Sequence, residues 1–332
     1  MFLSVIIPHY NLKRELLERC ITSITTQEIA NGDYEIIVVD DGSPLPPSWL
    51  ETECSTSRTR LIKATHGGPG AARNRGIEEA QGKYLMFVDA DDYLIDNGEI
   101  GTCIDTLKRE NPQILRYRYH VVTSLEEKPQ TTKRSIKFSN TISGATFMAS
   151  HNLPGSPCLY FVSRELVIKK CIRFPEGCYH EDEEFNAVLH FHAQSLIDSN
   201  ACLYCYCRRE GSTTANTDKA FEERRIADMM RVIERIAHFR ECIYNQCNSL
   251  QKQAIDRKLN MLAVDAILNM LHSGATAAEI RKRCIAELAP LSLYPIPAAN
   301  YSLKYRIFRI LGNSNAGIRL LRLSTTGKNP KK

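Results

Sequence analysis

The chain is predicted to fold as an α/β protein around a largely parallel sheet. Two patterns say so. Over the first hundred residues, apolar runs alternate with segments of helical spacing, as in successive βαβ units. Three of these runs then end in polar clusters: Pro8-His9-Tyr10-Asn11, Asp40-Asp41-Gly42-Ser43 and Asp89-Ala90-Asp91-Asp92. Open α/β sheets bind ligands beyond the carboxyl ends of their strands, so three such ends would converge on one cleft.

The elements follow in order. Residues 2–7 form an apolar run, with Ser4 its single polar member, suited to a strand covered on both faces. Leu16, Leu17, Cys20, Ile21 and Ile24 recur at helical spacing. Residues 35–39 make a second β-branched run and 61–63 a short third. A helix is expected over 70–82, with Ala71, Ala72, Ile77 and Ala80 on neighbouring faces, and a strand over 83–88. From about 110 to 210 the pattern is more β-like. Leu115, Tyr117, Tyr119 and Val121 alternate with Arg116, Arg118 and His120, which predicts a half-exposed strand. Leu203, Cys205 and Cys207 alternate with Tyr204 and Tyr206 in the same way. Between them, Tyr179-His180-Glu181-Asp182-Glu183-Glu184-Phe185 is an acidic turn opening a helix. Beyond Ala220 the chain is helical: Ile226, Met229, Ile233, Ile236 and Ala237 share one face, and Ile255, Leu259, Leu262, Ala266 and Ile267 another. Pro290, Pro295 and Pro297 mark a linker into a basic tail. No internal repeat is present.

Composition narrows the class. Of 332 residues, 43% are hydrophobic and 24% charged, enough apolar material for a large core and too much for disorder. The net charge of +5 is unevenly placed. No Asp or Glu follows Glu287, and the last stretch holds Lys304, Arg306, Arg309, Arg319, Arg322, Lys328, Lys331 and Lys332. Without these eight the remainder carries −3, so no nucleic-acid partner is expected. No secretory signal surrounds residues 2–7, and no segment reaches the ~20 apolar residues of a membrane span. The twelve cysteines are therefore expected as reduced thiols in a cytoplasmic protein. Cys202, Cys205 and Cys207 have a metal-like look, but they lie in a strand-like run without a second ligand pair, which argues against zinc.

Three clusters carry chemistry. Asp89, Asp91 and Asp92 crowd carboxylates after an apolar strand, and like charges so close call for a cation. Oxygen ligands suit Mg²⁺ or Mn²⁺, which in turn hold phosphates. An acidic N-cap turn explains the same residues equally well. Asp40 or Asp41 can accept a hydrogen bond from a nucleobase or ribose, although a strand-ending turn is the plainer reading. The glycine-rich stretch from Gly67 to Gly76 can offer backbone N–H groups to phosphate, and its small residues allow a close helix crossing. It is not the dinucleotide fingerprint.

The strings SVIIPHYN, IIVVDDGS, GGPGAARNRG, GKYLMFVDADD and HEDEEF occur in that order. As a set they resemble glycosyltransferase family two, inverting enzymes of the GT-A fold that build bacterial surface polysaccharide, over roughly residues 1 to 215. The resemblance implies a Rossmann-like, mostly parallel sheet with helices on both faces, plus a C-terminal helical extension. It implies a nucleotide-sugar donor, most naturally a UDP-sugar, a hexose or N-acetylhexosamine transferred, and Mn²⁺ or Mg²⁺ as cofactor. Pro8 and Tyr10 would line the uridine pocket, Asp40 would bond uracil or ribose with Asp41 supporting the loop, and Arg73 would meet the base or phosphates. Asp89 would hold the ribose or the metal, Asp91 would coordinate the metal, and Asp92 is a weaker ligand candidate. Asp182 would be the catalytic base; Glu181 and Glu183 rival it on composition alone. In Arg208-Arg209-Glu210-Gly211-Ser212-Thr213-Thr214, Arg208 or Arg209 would close over the diphosphate. His9 receives no role; His180 could hydrogen-bond a phosphate or the acceptor, although a solvated side chain is the plainer reading.

The expected organisation is a catalytic domain over 1–215 (nucleotide half 1–110, acceptor half 111–215), a helical extension over 216–288, and a proline linker with a basic amphipathic tail over 289–332. In the tail, Leu303, Ile307, Ile310 and Leu311 share a helical face beside Lys304, Arg306 and Arg309. Such a segment can rest on an anionic membrane surface, on the inner face of the plasma membrane, where a lipid-linked glycan acceptor would be met. A helix docked on the protein body is the alternative. Two rival functions are a nucleotidyltransferase, opposed by the Asp182 region, and a decayed binding protein, opposed by intact Asp89, Asp91 and Asp182.

Overall fold

The computed structural model describes residues 1–27, 29, 33–53, 58–124, 127, 129, 135–153, 155–209 and 218–326. Its strands are β1 (Leu3–His9), β2 (Tyr34–Asp40), β3 (Thr59–Lys63), β4 (Tyr84–Phe87), β5 (Tyr93–Leu94), β6 (Ile114–Val122), β7 (Tyr160–Ser163) and β8 (Leu196–Cys207). Its helices are α1 (Arg14–Thr25), α2 (Trp49–Glu53), α3 (Pro69–Glu79), α4 (Glu99–Glu110), α5 (Gly144–Ser150), α6 (Arg164–Lys169), α7 (Glu181–His192), α8 (Lys219–Ile243), α9 (Ser249–His272), α10 (Ala277–Arg283), α11 (Leu303–Gly312) and α12 (Asn315–Thr326). The chain forms two compact units, residues 1–144 with 154–215, and residues 145–153 with 216–332. The short excursion over 145–153 into the second unit carries no signal in the sequence.

The first unit is an α/β domain on a single sheet, ordered β3-β2-β1-β4-β7-β6-β8-β5. β1, β2, β3 and β4 are mutually parallel, β7 is antiparallel to both its neighbours, and β6 and β8 are parallel again. With right-handed crossovers, α1 and α2 cover one face of the parallel half and α3 the other. β1 and β2 are accordingly almost wholly buried, as their largely apolar runs predict, and the two polar residues within them, Ser4 and Glu35, are bonded to each other. Pro8 is tolerated inside β1 because of where its missing N–H would point. The His9 carbonyl accepts from Asp41 on the β2 side and the Ile6 carbonyl from Val88 on the β4 side, so Pro8 faces a β4 that has already ended.

The β6 alternation does not hold as expected. Arg116 is buried and Tyr119 is half exposed. The ladder to β8 shifts register between Arg116 and Tyr119, with the extra residues on the β8 side. Arg116 and Arg118 share Asp198 of β8, at 3.0 and 2.6 Å, so the buried cation is paired. Cys205 and Cys207 pack with Ile95 and Val122 in a small core under β5.

Gly76 sets the crossing of α3 over β1. A Cβ there would fall inside contact distance of the Ile6 side chain, so the close approach needs glycine. Gly76→Ala should therefore lower stability by about 1–3 kcal/mol through overpacking, read as a lower denaturant midpoint at unchanged slope.

The second unit is helical. α8 and α9 pack together, and α10, α11 and α12 pack against α9. Side-chain caps fix the starts: Asp218 accepts from Phe221 N–H, while Asn248 with Gln251 and Thr276 with Glu279 make capping boxes. The proline-marked segment is not a free linker. Leu293, Tyr294 and Ile296 are buried, the Tyr294 hydroxyl donates to the Gly312 carbonyl, and Ile296 N–H donates to Asn313 Oδ1. Burial of three large side chains ties α11 to the unit, which is why the stretch behaves as core despite its prolines. Among the described residues no helix is long and apolar enough to cross a membrane.

Candidate active site

The carboxyl ends of β1, β2 and β4 lie side by side, and the residues after them form a linked polar network. His9 Nδ1 sits 2.9 Å from Asp40 Oδ1, and both side chains are buried. Ser43 donates to the same carboxylate through its hydroxyl and its N–H, and accepts from Asn11 N–H at 2.8 Å. Asp40, expected to meet uracil or ribose, is thus engaged inside the protein, where it clamps the β1 and β2 loops together. His9, left without a role, is its partner.

Asp41 organises the glycine-rich loop. Its two oxygens accept from Gly67 N–H at 2.8 Å and Gly68 N–H at 2.9 Å. Those N–H groups, expected to face phosphate, are used within the loop. His66 lies 2.9 Å from the same carboxylate and stacks on Tyr10, with ring centroids 4.5 Å apart. Tyr10 is 49% exposed, so an aromatic face braced by His66 stands open at the end of β1. Pro8, two residues earlier, is partly buried.

The acidic cluster after β4 divides its labour. Asp92 is buried, accepting from the Tyr204 hydroxyl at 2.6 Å and from Cys207 N–H at 2.8 Å. With both oxygens held by β8 it is a structural clamp rather than a metal ligand. Burial, then the Asp89 and Asp91 charges, push its pKa well up. The Tyr204 hydroxyl also accepts from Asp89 N–H at 3.2 Å, so one tyrosine positions the whole turn. Asp91 meets Arg209 at 2.8 Å, while Arg19 of α1 donates to its carbonyl. Burial and Asp89 raise the Asp91 pKa, and Arg209 opposes them.

Arg73 is the hub. Its guanidinium is buried; Nη2 donates to Asp89 Oδ1 and Nη1 to Glu181 Oε1, each at 2.8 Å, and the group lies over Phe174. Burial works against the charge, but Asp89 and Glu181 outweigh it and hold its pKa above the ordinary value. Arg73, expected to meet the base or phosphates, is paired here with two carboxylates of the protein itself. The consequence is a bridge from the β4 acids to the first turn of α7, where Glu181, Asp182, Glu183 and Glu184 stand. That turn starts from His180 in the left-handed region, φ 64°, an uncommon conformation for a side-chain-bearing residue. Asp182 is half-buried, and a Cβ at Gly155 would come within 3.8 Å of its Oδ2.

Of the two arginines after β8, Arg209 reaches the acidic cluster. Arg208 is exposed, with its N–H donating to the Val122 carbonyl. Residues 210–214 of that turn lie outside the described residues. Arg209 and Glu181, expected at the diphosphate and as a rival base, also support this network, as do Tyr204 and His66, for which the sequence suggests no role. The alternation of β8 was the only hint to Tyr204.

The donors fit a divalent cation. One oxygen of Asp89 meets Arg73 and one of Asp91 meets Arg209, leaving the other oxygen of each outside these contacts. Among the described residues no group of three or more His, Cys, Asp or Glu side chains forms a metal cage. Two carboxylates suit Mg²⁺ or Mn²⁺, which take the rest of their shell from water and phosphate.

Residues 4–165 match the model of the family described as glycosyl transferase family 2. Over 98 residues, 28% of this chain, the sequence is 37% identical to the poly(ribitol-phosphate) beta-glucosyltransferase of Bacillus spizizenii, and the match spans 15% of that protein's length. Over 263 residues it is 26% identical to the cholesterol galactosyltransferase of Borreliella burgdorferi, covering 75% of this chain and 71% of that relative. The crystal structure of S. aureus TarS 1-349 in complex with UDP-GlcNAc has a TM-score of 0.61 and 18% identity, covering 98% of this chain and 92% of that one. The shared architecture is the GT-A fold.

Proposed function

From the premise that residues 4–165 are a glycosyl transferase family 2 domain, we propose that the chain is an inverting glycosyltransferase. It would move a hexose or N-acetylhexosamine from a UDP-sugar to a hydroxyl of a growing, lipid-linked surface glycan. The observation that carries the reading is the bridge through Arg73. A pair of carboxylates able to hold a cation, Asp89 and Asp91, is coupled to a helix start bearing a further carboxylate, Asp182. The complex of TarS with UDP-GlcNAc supports the nucleotide and the sugar class.

In this reading Tyr10, braced by His66, offers its face to the base, with Pro8 also lining the pocket and Asp40 fixing the loop from within. A divalent cation on Asp89 and Asp91 would neutralise the leaving diphosphate. Arg209, or Arg208 beside it, turns towards the diphosphate when the donor is bound. Asp182 accepts the proton of the acceptor hydroxyl while that oxygen attacks the anomeric carbon. The bond from that carbon to the diphosphate oxygen breaks on the opposite side, its electron pair leaves with UDP, and the configuration inverts.

The test is a thermal-shift panel of nucleotides and nucleotide-sugars with and without Mn²⁺. A ligand at a hundredfold excess over its Kd adds about 2.7 kcal/mol to the native state. A UDP-specific shift that needs Mn²⁺ and disappears in Asp91→Ala is expected. Folded protein that no nucleotide shifts would overturn the reading, and pyrophosphate rather than UDP as product would assign a nucleotidyltransferase.

A further inference from the structure

We propose that α11 and α12 together form a docking face for an anionic lipid surface. Leu303, Ile307 and Ile310 fall at i, i+4 and i+7, one stripe of α11, and they are 69%, 50% and 64% exposed. The opposite side of the same helix carries Tyr305 and Gly312, which are buried. α12 repeats the arrangement: Ile318 is fully buried, and Leu320 and Leu323 on the other side are 60% and 71% exposed. A helix of a water-soluble unit normally turns its apolar stripe to the core. Here both helices anchor through one side and present large aliphatic side chains outward from the other. The anchoring is built in, through Ser302 capping Tyr305 N–H and the Tyr305 hydroxyl donating to the Pro297 carbonyl.

Charge selects the occupant. Lys304 and Arg306 flank the α11 stripe, Arg319 flanks that of α12, and all three are exposed. No acidic residue follows Glu287, so nothing on these helices offsets them. Aliphatic side chains at the centre and cations at the margin match the acyl boundary and phosphate headgroups of an anionic leaflet. A helix of this length lies in that boundary and does not span it. The face would hold the enzyme where a lipid-anchored acceptor is presented, but its binding can be measured without turnover, so it stands or falls apart from the glycosyltransferase reading.

The experiment is flotation of the full chain with vesicles of phosphatidylcholine alone or mixed with phosphatidylglycerol, at two salt concentrations. Binding to the mixed vesicles that weakens with salt is expected. Lys304→Gln and Arg306→Gln should each weaken it about fivefold. Ile307→Ser with Ile310→Ser should weaken it by about tenfold or more, and these exposed changes should leave the melting temperature in place. Absence of binding to anionic vesicles, or binding that neither pair of variants alters, would overturn the proposal. A dimer in solution that Ile307→Ser dissociates would instead assign the face to a second copy of the chain.

Discussion

Asp182→Asn is expected to lower turnover by about 10²–10⁴-fold while leaving the metal-dependent binding of the UDP-sugar nearly unchanged. The first turn of α7 distributes its carboxylates unequally. Glu181 is held by Arg73 at 2.8 Å and is nearly buried, so it is not available to an acceptor. Glu183 and Asp182 both lie towards Gly155, the Glu183 carboxylate nearer to it. Asp182 is half-buried in the first turn of α7, where the positive end of the helix dipole favours a carboxylate. Asparagine keeps the shape and removes the basicity, so the loss should fall on kcat and not on KM for the donor. Glu181→Gln should behave differently, disturbing donor binding and stability together through Arg73. If Asp182→Asn keeps more than half of wild-type turnover, the base lies elsewhere; if donor binding falls in step with turnover, Asp182 belongs to the donor site.

Much of this architecture was legible because it is local. The parallel half follows from apolar runs at residues 2–7, 35–39 and 83–88, and the site end follows from the polar residues that close them. What those residues touch was not legible. Asp89, Asp91 and Asp92 look alike in the sequence, yet Asp92 is taken by Tyr204 and Cys207, contributed by a strand more than a hundred residues later. Asp40 and Arg73 stand in a ligand-like pattern and are committed internally, because a buried charge needs a partner and nearby residues supply one before any ligand does. The tail shows the reverse. Its stripe of Leu303, Ile307 and Ile310 is plain from spacing, but spacing cannot tell a stripe that faces inward from one that faces out. The buried Tyr305 on the other side decides it.

Arg73→Gln is the change expected to cost the most stability. The guanidinium is buried and serves two carboxylates from distant segments, Asp89 and Glu181. Removing one partner of a buried pair typically costs about 3–5 kcal/mol, since the remaining charge keeps its burial and loses its compensation. The Glu181 side chain is 11% exposed and that of Asp89 34%, so water screens part of the second loss, and the lower end, about 3 kcal/mol, is expected. Replacing the stranded acid should return part of that. The double variant Arg73→Gln with Glu181→Gln is expected to be more stable than Arg73→Gln alone, a coupling that a simple packing defect would not show. Donor binding supplies an independent readout. Arg73 fixes one oxygen of Asp89, so the Mn²⁺-dependent shift with a UDP-sugar should shrink in Arg73→Gln, and Arg73→Lys should recover only part of it, since a single ammonium cannot reproduce the forked contact. An Arg73→Gln protein as stable as wild type, with its donor response intact, would show that the bridge between the β4 acids and α7 is incidental, and that Asp182 is placed by its own helix alone.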